Sequence, residues 1–157
     1  MLVNFIFTRC PSSCPLLSAQ MAKVQKRTVG SGNAVKLLSI TVDPENDTPA
    51  VLKDYAQKFN AKRNIWSFVT GPLPDIEKIL IEGFKLSNSK LSEVENLMEF
   101  THAEQFVLVD QIGQIRGYRQ VYNSKDIDNV LKDIAILANT NPSLAPKRSE
   151  ELQSVSR

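Results

Sequence analysis

Leu2-Val3-Asn4-Phe5-Ile6-Phe7-Thr8-Arg9-Cys10-Pro11-Ser12-Ser13-Cys14-Pro15 is the stretch on which the reading of this 157-residue chain turns. The apolar run Leu2, Val3, Phe5, Ile6 and Phe7 predicts a buried strand from Leu2 to Thr8. From Pro15 to Thr28, Leu17, Met21 and Val24 recur at helical spacing while Gln20, Lys23, Lys26 and Arg27 fall mostly elsewhere, which predicts a surface helix with one buried stripe. Gly30, Ser31, Gly32 and Asn33 stop it. Cys10 and Cys14 therefore sit in a strand-to-helix loop, at the end of a strand where α/β proteins gather their chemistry.

Working outward, Lys36 to Val42 reads as a second strand, and Asp43-Pro44-Glu45-Asn46 as a turn leading to Thr48-Pro49, an N-cap followed by proline at the first helical position. Val51, Leu52, Tyr55, Ala56 and Phe59 form the apolar stripe of that helix, and Ile65 to Thr70 is a third strand stopped by Gly71-Pro72. A short helix is expected from Asp75 to Phe84 and mostly loop from Lys85 to Thr101. Gln105–Val109, the turn Asp110-Gln111-Ile112-Gly113 and Gln114–Arg119 read as a β-hairpin, with glycine where a positive φ is needed. A last helix from about Lys125 to Ala138 buries Ile127, Val130, Leu131 and Ile134. Strand-helix units followed by a hairpin and a closing helix predict an α/β domain over residues 1–138, thioredoxin-like, with a central mixed sheet flanked by helices on both faces. Residues 139–157 hold little besides Pro, Ser, Asn and charge, and are expected to form a disordered tail. There are no internal repeats.

Composition narrows the function. With 42% hydrophobic and 23% charged residues, the chain has the make-up of one ordinary globular domain. Nineteen basic against seventeen acidic residues leave a net charge of +2, too small an excess for a protein that works by neutralising phosphates, so nucleic acid is not an expected partner. No apolar run approaches the roughly 20 residues of a membrane span, and the first residues lack a signal-peptide pattern. Two cysteines are too few for a disulfide scaffold or for a paired Cys-x-x-Cys zinc site.

At a helix N-terminus the unpaired backbone N–H groups and the helix dipole stabilise a thiolate, and Arg9 stands ready as a cationic neighbour, so both cysteines are expected to be unusually acidic. If the loop turns helically, the spacing of four puts the two Cα atoms about 6 Å apart, inside the disulfide range. The same spacing lets two sulfurs hold one metal. Soft thiolates select soft ions, so an exposed pair completed by one imidazole suits Cu(I), whereas Zn(II) normally wants a fourth ligand. The plain alternative is two small cysteines buried near the start of a helix.

Phe5-Ile6-Phe7-Thr8 followed by Cys10-Pro11-Ser12-Ser13-Cys14-Pro15, then Leu38-Ser39-Ile40-Thr41-Val42-Asp43-Pro44-Glu45-Asn46-Asp47-Thr48-Pro49, then Trp66-Ser67-Phe68-Val69-Thr70-Gly71, together resemble the Sco/SenC family of thioredoxin-fold copper proteins over about Leu2 to Arg119. The resemblance implies copper as the cofactor, with Cu(I) the favoured state and Cu(II) admitted. It assigns Cys10 and Cys14 as a redox pair and as metal ligands, and His102, the sole histidine, as the third ligand. Without the family, a lone histidine is more often a surface or core residue. The family usually shows Asp-His-Ser where this chain has Thr101-His102-Ala103, so Glu99, Glu104 or a backbone oxygen would have to accept the imidazole's second N–H.

The resemblance further implies a protein that delivers copper to, or reduces the cysteines of, the binuclear copper centre of cytochrome c oxidase. Its partner would be the copper-accepting subunit of that enzyme or a related copper or thiol protein. It would work outside the cytoplasm, on the periplasmic face or in the mitochondrial intermembrane space, behind a membrane anchor absent from this chain. Such domains normally carry that anchor and a β-hairpin ahead of the first strand here, so Met1 is expected to begin inside the domain, as in a fragment or a mis-assigned start. The rival readings are a general thiol-disulfide oxidoreductase without a physiological metal and a metal-free interaction domain on the same fold. A peroxiredoxin-like site fails because Val3 and Phe7 stand where that family places proline and threonine before its reactive cysteine. Asp43 and Asp47 are read as turn and cap residues outside the site, Trp66 as core, and Lys23, Lys26 and Arg27 as a solvated helix face.

Overall fold

A computed structural model describes residues 1–11, 13–29, 35–84 and 105–139. The first strand, β1 (Leu2–Ile6), is buried along its whole length. It pairs in parallel with β2 (Leu37–Thr41), which pairs in parallel with β3 (Trp66–Val69). On its other side β1 meets β4 (Gln105–Val109) antiparallel, and β4 continues into β5 (Ile115–Gln120) as a hairpin. The sheet order is β3-β2-β1-β4-β5, which places β1 at the centre of a mixed sheet.

Both parallel crossovers step the same way along the sheet, so right-handed connections put α1 (Ser13–Thr28) and α2 (Pro49–Lys58) on one side. The terminal helix α4 (Ser124–Asn139) joins them there. Leu17, Met21 and Val24 of α1 and Ile127, Val130 and Ile134 of α4 close over Leu2, Leu37, Trp66, Phe106 and Leu108. Tyr55 of α2 and Phe59, the residue at its C-terminal cap, meet the rings of Phe68 and Trp66. The opposite side carries Val3, Phe5, Ile40, Val107 and Val109, covered by Ile76 and Leu80 of α3 (Leu73–Lys78) and the turn that follows it. Phe5 meets Phe84 edge to face at 5.1 Å. The helices do flank both faces, as expected of the thioredoxin-like plan. Arg27 of the basic α1 face does more than meet solvent, since it pairs with Asp128 and ties α1 to α4.

Several boundaries differ from the sequence expectation for local reasons. β1 ends at Ile6 rather than Thr8, because the Phe7 carbonyl turns back to accept the Cys10 N–H at 3.1 Å and the Thr8 N–H is taken by a carboxylate. α1 starts at Ser13, so Cys14 lies in the first helical turn, and Pro15 falls where a missing N–H costs no intrahelical bond. The helix expected over Asp75–Phe84 begins earlier and changes pitch. α3 gives way to a π-helical turn at Ile79–Gly83, with the Phe84 N–H reaching the Ile79 carbonyl at 2.9 Å. Val51 is exposed, because the stripe Leu52, Tyr55 and Phe59 takes the sheet-facing side and an adjacent position lies about 100° round the helix. Gly113 does adopt a positive φ, 81°, in the hairpin turn, where Asp110 accepts the N–H groups of Ile112 and Gln114. The loop expected from Lys85 to Thr101 lies outside the described residues. So does the expected tail, apart from Asn139, which ends α4.

Among the described residues Phe106 is the largest fully buried side chain, at the point where β4, α1 and α4 converge. Phe106→Ala is expected to lower stability by about 3–5 kcal/mol through lost burial and the cavity left behind, measured by urea unfolding.

Candidate functional site

The site forms where β1 and β2 end and the chain leaves the sheet. There the strands run out of ladder partners, and side chains take over the bonding of the loop. Asp47, fully buried, is the hub. Its carboxylate accepts the Thr8 N–H at 3.1 and 3.3 Å and the hydroxyls of Thr8 and Thr41, so one side chain ties the ends of β1 and β2 to the loop before α2. Asp43 acts beside it. Its carboxylate takes the Arg9 guanidinium through Nε at 3.2 Å and Nη2 at 2.9 Å, and the Asn46 side-chain amide at 2.8 Å. The Asp43 N–H in turn donates to the Thr41 hydroxyl at 3.0 Å.

The turn and cap roles expected of this segment are present. The Asn46 and Asp47 N–H groups return to the Asp43 carbonyl, and Thr48 caps α2 through the Val51 N–H. The two acids nevertheless do more than their turn roles require: they hold the segment Thr8–Arg9 immediately before Cys10. Arg9, expected as a cationic neighbour of the sulfurs, is instead paired with Asp43, because a carboxylate 34 residues away offers it two bonds. The signal for this arrangement was the concentration of Thr, Arg and Asp at the ends of two adjacent strands.

Held this way, Cys10 and Cys14 come together across the first turn of α1. The Cys14 N–H donates to Cys10 Sγ at 3.4 Å, and Ser13 Oγ lies 3.5 Å from the same sulfur. The sulfurs are not joined by a disulfide. The pair was expected to be exposed and is buried, 6% for Cys10 and 0% for Cys14, because the helix begins two residues early and turns both side chains into the cluster of Phe7, Val42, Leu52 and Tyr55. Behind it, Tyr55 Oη and Ser18 Oγ form a buried hydrogen bond of 3.0 Å. Burial pushes the Tyr55 phenol up to about 12; the Ser18 hydrogen bond opposes this, and the charges of Cys14, Cys10 and Asp47 reinforce it. Along the sequence Tyr55 shows only as a member of the α2 stripe.

His102 lies outside the described residues, so two of the three expected ligands are brought together. Among the described residues no group of three or more His, Cys, Asp or Glu side chains stands ready to hold a metal ion. Two sulfurs one helical turn apart can close a disulfide or act together on a soft ion. Among the described residues no helix is long and apolar enough to cross a membrane.

A central strand leading to one cysteine in the loop and a second in the first turn of the following helix, in a sheet closed by an antiparallel hairpin, defines a thioredoxin-like dithiol protein. Comparison with known proteins narrows that class. Residues 1–139 match the SCO1/SenC family model, and the chain belongs to that family. It is similar to the SCO1 protein homolog of Bacillus subtilis strain 168, with 32% identity over 135 residues covering 85% of this chain and 68% of the relative. Among solved structures, it superimposes on BsSco, a member of the Sco family of cytochrome c oxidase assembly proteins in which a disulfide switch was identified. That match has a TM-score of 0.72 and 29% identity, and covers 89% of this chain and 80% of the other. The fold is also that of yeast Sco1 solved with copper bound, with a TM-score of 0.65 and 23% identity over 91% of this chain and 80% of the other.

Two predictions test the arrangement. Asp47→Ala strands one buried and two part-buried donors and is expected to cost about 2–4 kcal/mol by chemical denaturation. The raised Tyr55 value means that the fold favours the neutral phenol. The stability this contributes is fully present below the unfolded value near 10 and lost as pH rises through about 12. An ultraviolet titration should therefore show a phenolate step near pH 12 that is missing in Tyr55→Phe.

Proposed function

We propose that this protein is a copper-binding metallochaperone and thiol-disulfide redox protein serving the binuclear copper centre of cytochrome c oxidase. The observation that carries this reading is the convergence of Cys10 and Cys14 at the start of α1, one sulfur accepting the other residue's N–H. The two thiolates and the His102 imidazole would supply a soft, three-donor set of the kind that suits Cu(I) and leaves a side open for transfer. The same pair, with no metal, would cycle between dithiol and disulfide. Membership of the SCO1/SenC family supports both roles. The copper-accepting oxidase subunit is the proposed client, met on the outer face of a membrane.

The residues divide the work. Cys10 and Cys14 bind the ion or carry the electrons, and His102 completes the metal site. Asp47 and Asp43 hold the cysteine loop through Thr8 and Arg9. Burial of the pair shields it from small oxidants and confines exchange to partners that can approach the Cys10 side.

The general oxidoreductase remains the second reading, favoured by the dithiol geometry alone. Anaerobic Cu(I) titration with X-ray absorption separates the two. One tight equivalent bound by two sulfurs and one nitrogen is expected. His102→Ala should lose the nitrogen and weaken binding on the order of 10–100-fold, an effect the size of other ligand-shell losses. A Cys10→Ser protein that keeps near-stoichiometric, tight Cu(I) binding overturns the copper assignment. A wild-type protein that binds no copper tightly but still cycles to a disulfide makes the oxidoreductase the correct reading.

A further inference from the structure

Ser13 stands between the two cysteines in the first turn of α1. It is 4% exposed, and its hydroxyl oxygen lies 3.5 Å from Cys10 Sγ. That sulfur already accepts the Cys14 N–H at 3.4 Å, so two polar groups of the same helical turn converge on Cys10. In a thiol the proton could sit on either side of the Ser13–Cys10 contact. While Cys10 is reduced its sulfur can accept the hydroxyl proton, whereas a sulfur tied up in a disulfide is a much weaker acceptor.

We infer that Ser13 is a positioning residue for the redox pair: its hydroxyl donates to the reduced Cys10 sulfur and stabilises the dithiol against the disulfide. The inference rests on the redox half of the proposed function and assigns a part in it to a residue between the cysteines. A reduced sulfur carries more electron density than a disulfide sulfur and gains more from a donor, so each donor aimed at it favours the reduced state. The donor here is anchored in a helix and shielded from water, where a hydrogen bond keeps more of its strength. Cys10 is also the less deeply buried of the two cysteines.

Equilibration of the full chain with glutathione tests this. The protein disulfide and two glutathione thiols give the dithiol and one glutathione disulfide. The protein S–S bond breaks, a glutathione S–S bond forms, and two electrons with two protons pass to Cys10 and Cys14. Loss of one hydrogen bond is worth on the order of a three- to tenfold change in that equilibrium. Ser13→Ala is therefore expected to favour the disulfide by that factor, a potential more negative by about 15–30 mV. Ser13→Thr, which keeps the hydroxyl, should stay within about twofold of wild type on the same scale. Circular dichroism melting shows whether each variant retains the fold.

An alanine variant that is folded and within twofold of wild type overturns the inference while leaving the dithiol function standing. An alanine shift that threonine fails to reverse also overturns it, by showing that the side chain's bulk rather than its hydroxyl matters. A wild-type pair that forms no disulfide under these conditions overturns the redox reading and the inference together.

Discussion

The buried carboxylate of Asp47 is the constraint on which the site depends. Taking such a charge out of water costs several kcal/mol and is tolerated only when its lone pairs are fully engaged. Here the Thr8 N–H and the hydroxyls of Thr8 and Thr41 engage it. These donors come from the ends of the two central parallel strands, so the requirement to satisfy one charge fixes how both strands terminate. It also fixes where the chain heads next, since Thr8 is two residues from Cys10.

The consequences run outward from there. With Thr8 pinned by Asp47 and Arg9 by Asp43, the Phe7 carbonyl turns to the Cys10 N–H and the chain enters α1 at Ser13. The helix then sets the sulfur spacing. Its first turn is roofed by Leu52 and Tyr55 of α2, the helix that Thr48 caps one residue after Asp47. The cysteine pair thus follows a loop tied by two carboxylates and shares a buried cluster with an aromatic ring, so three segments meet around it. The chain belongs to the SCO1/SenC family, and the loop after its central strand lies at the carboxyl end of the parallel strands, where open sheets leave room for a site.

Much of this was legible along the chain. Leu2–Phe7, the Leu17/Met21/Val24 stripe and the Thr48-Pro49 cap announce their elements, because periodicity and capping are local properties. Trp66 proved to be core, and Gly113 took its positive φ. The cysteine pair stood out by spacing and by its strand-to-helix position. Asp43 and Asp47 did not, since their turn chemistry explains them well enough without any site. Only the side chains of Thr8 and Arg9, 39 and 34 residues away, disclose what else they do.

The order of strands and helices, the apolar faces, and two thiols at a strand-to-helix step can be read along the chain alone. The tertiary structure alone decided the sheet order with β1 at its centre, the burial of the sulfurs, the pairing of Arg9 with Asp43, the Asp47 hub, and the position of Tyr55 behind the pair. The physical reason is range. Helix and strand patterns repeat within a few residues, whereas a buried carboxylate or phenol is defined by whichever distant groups the folded chain brings within hydrogen-bonding reach.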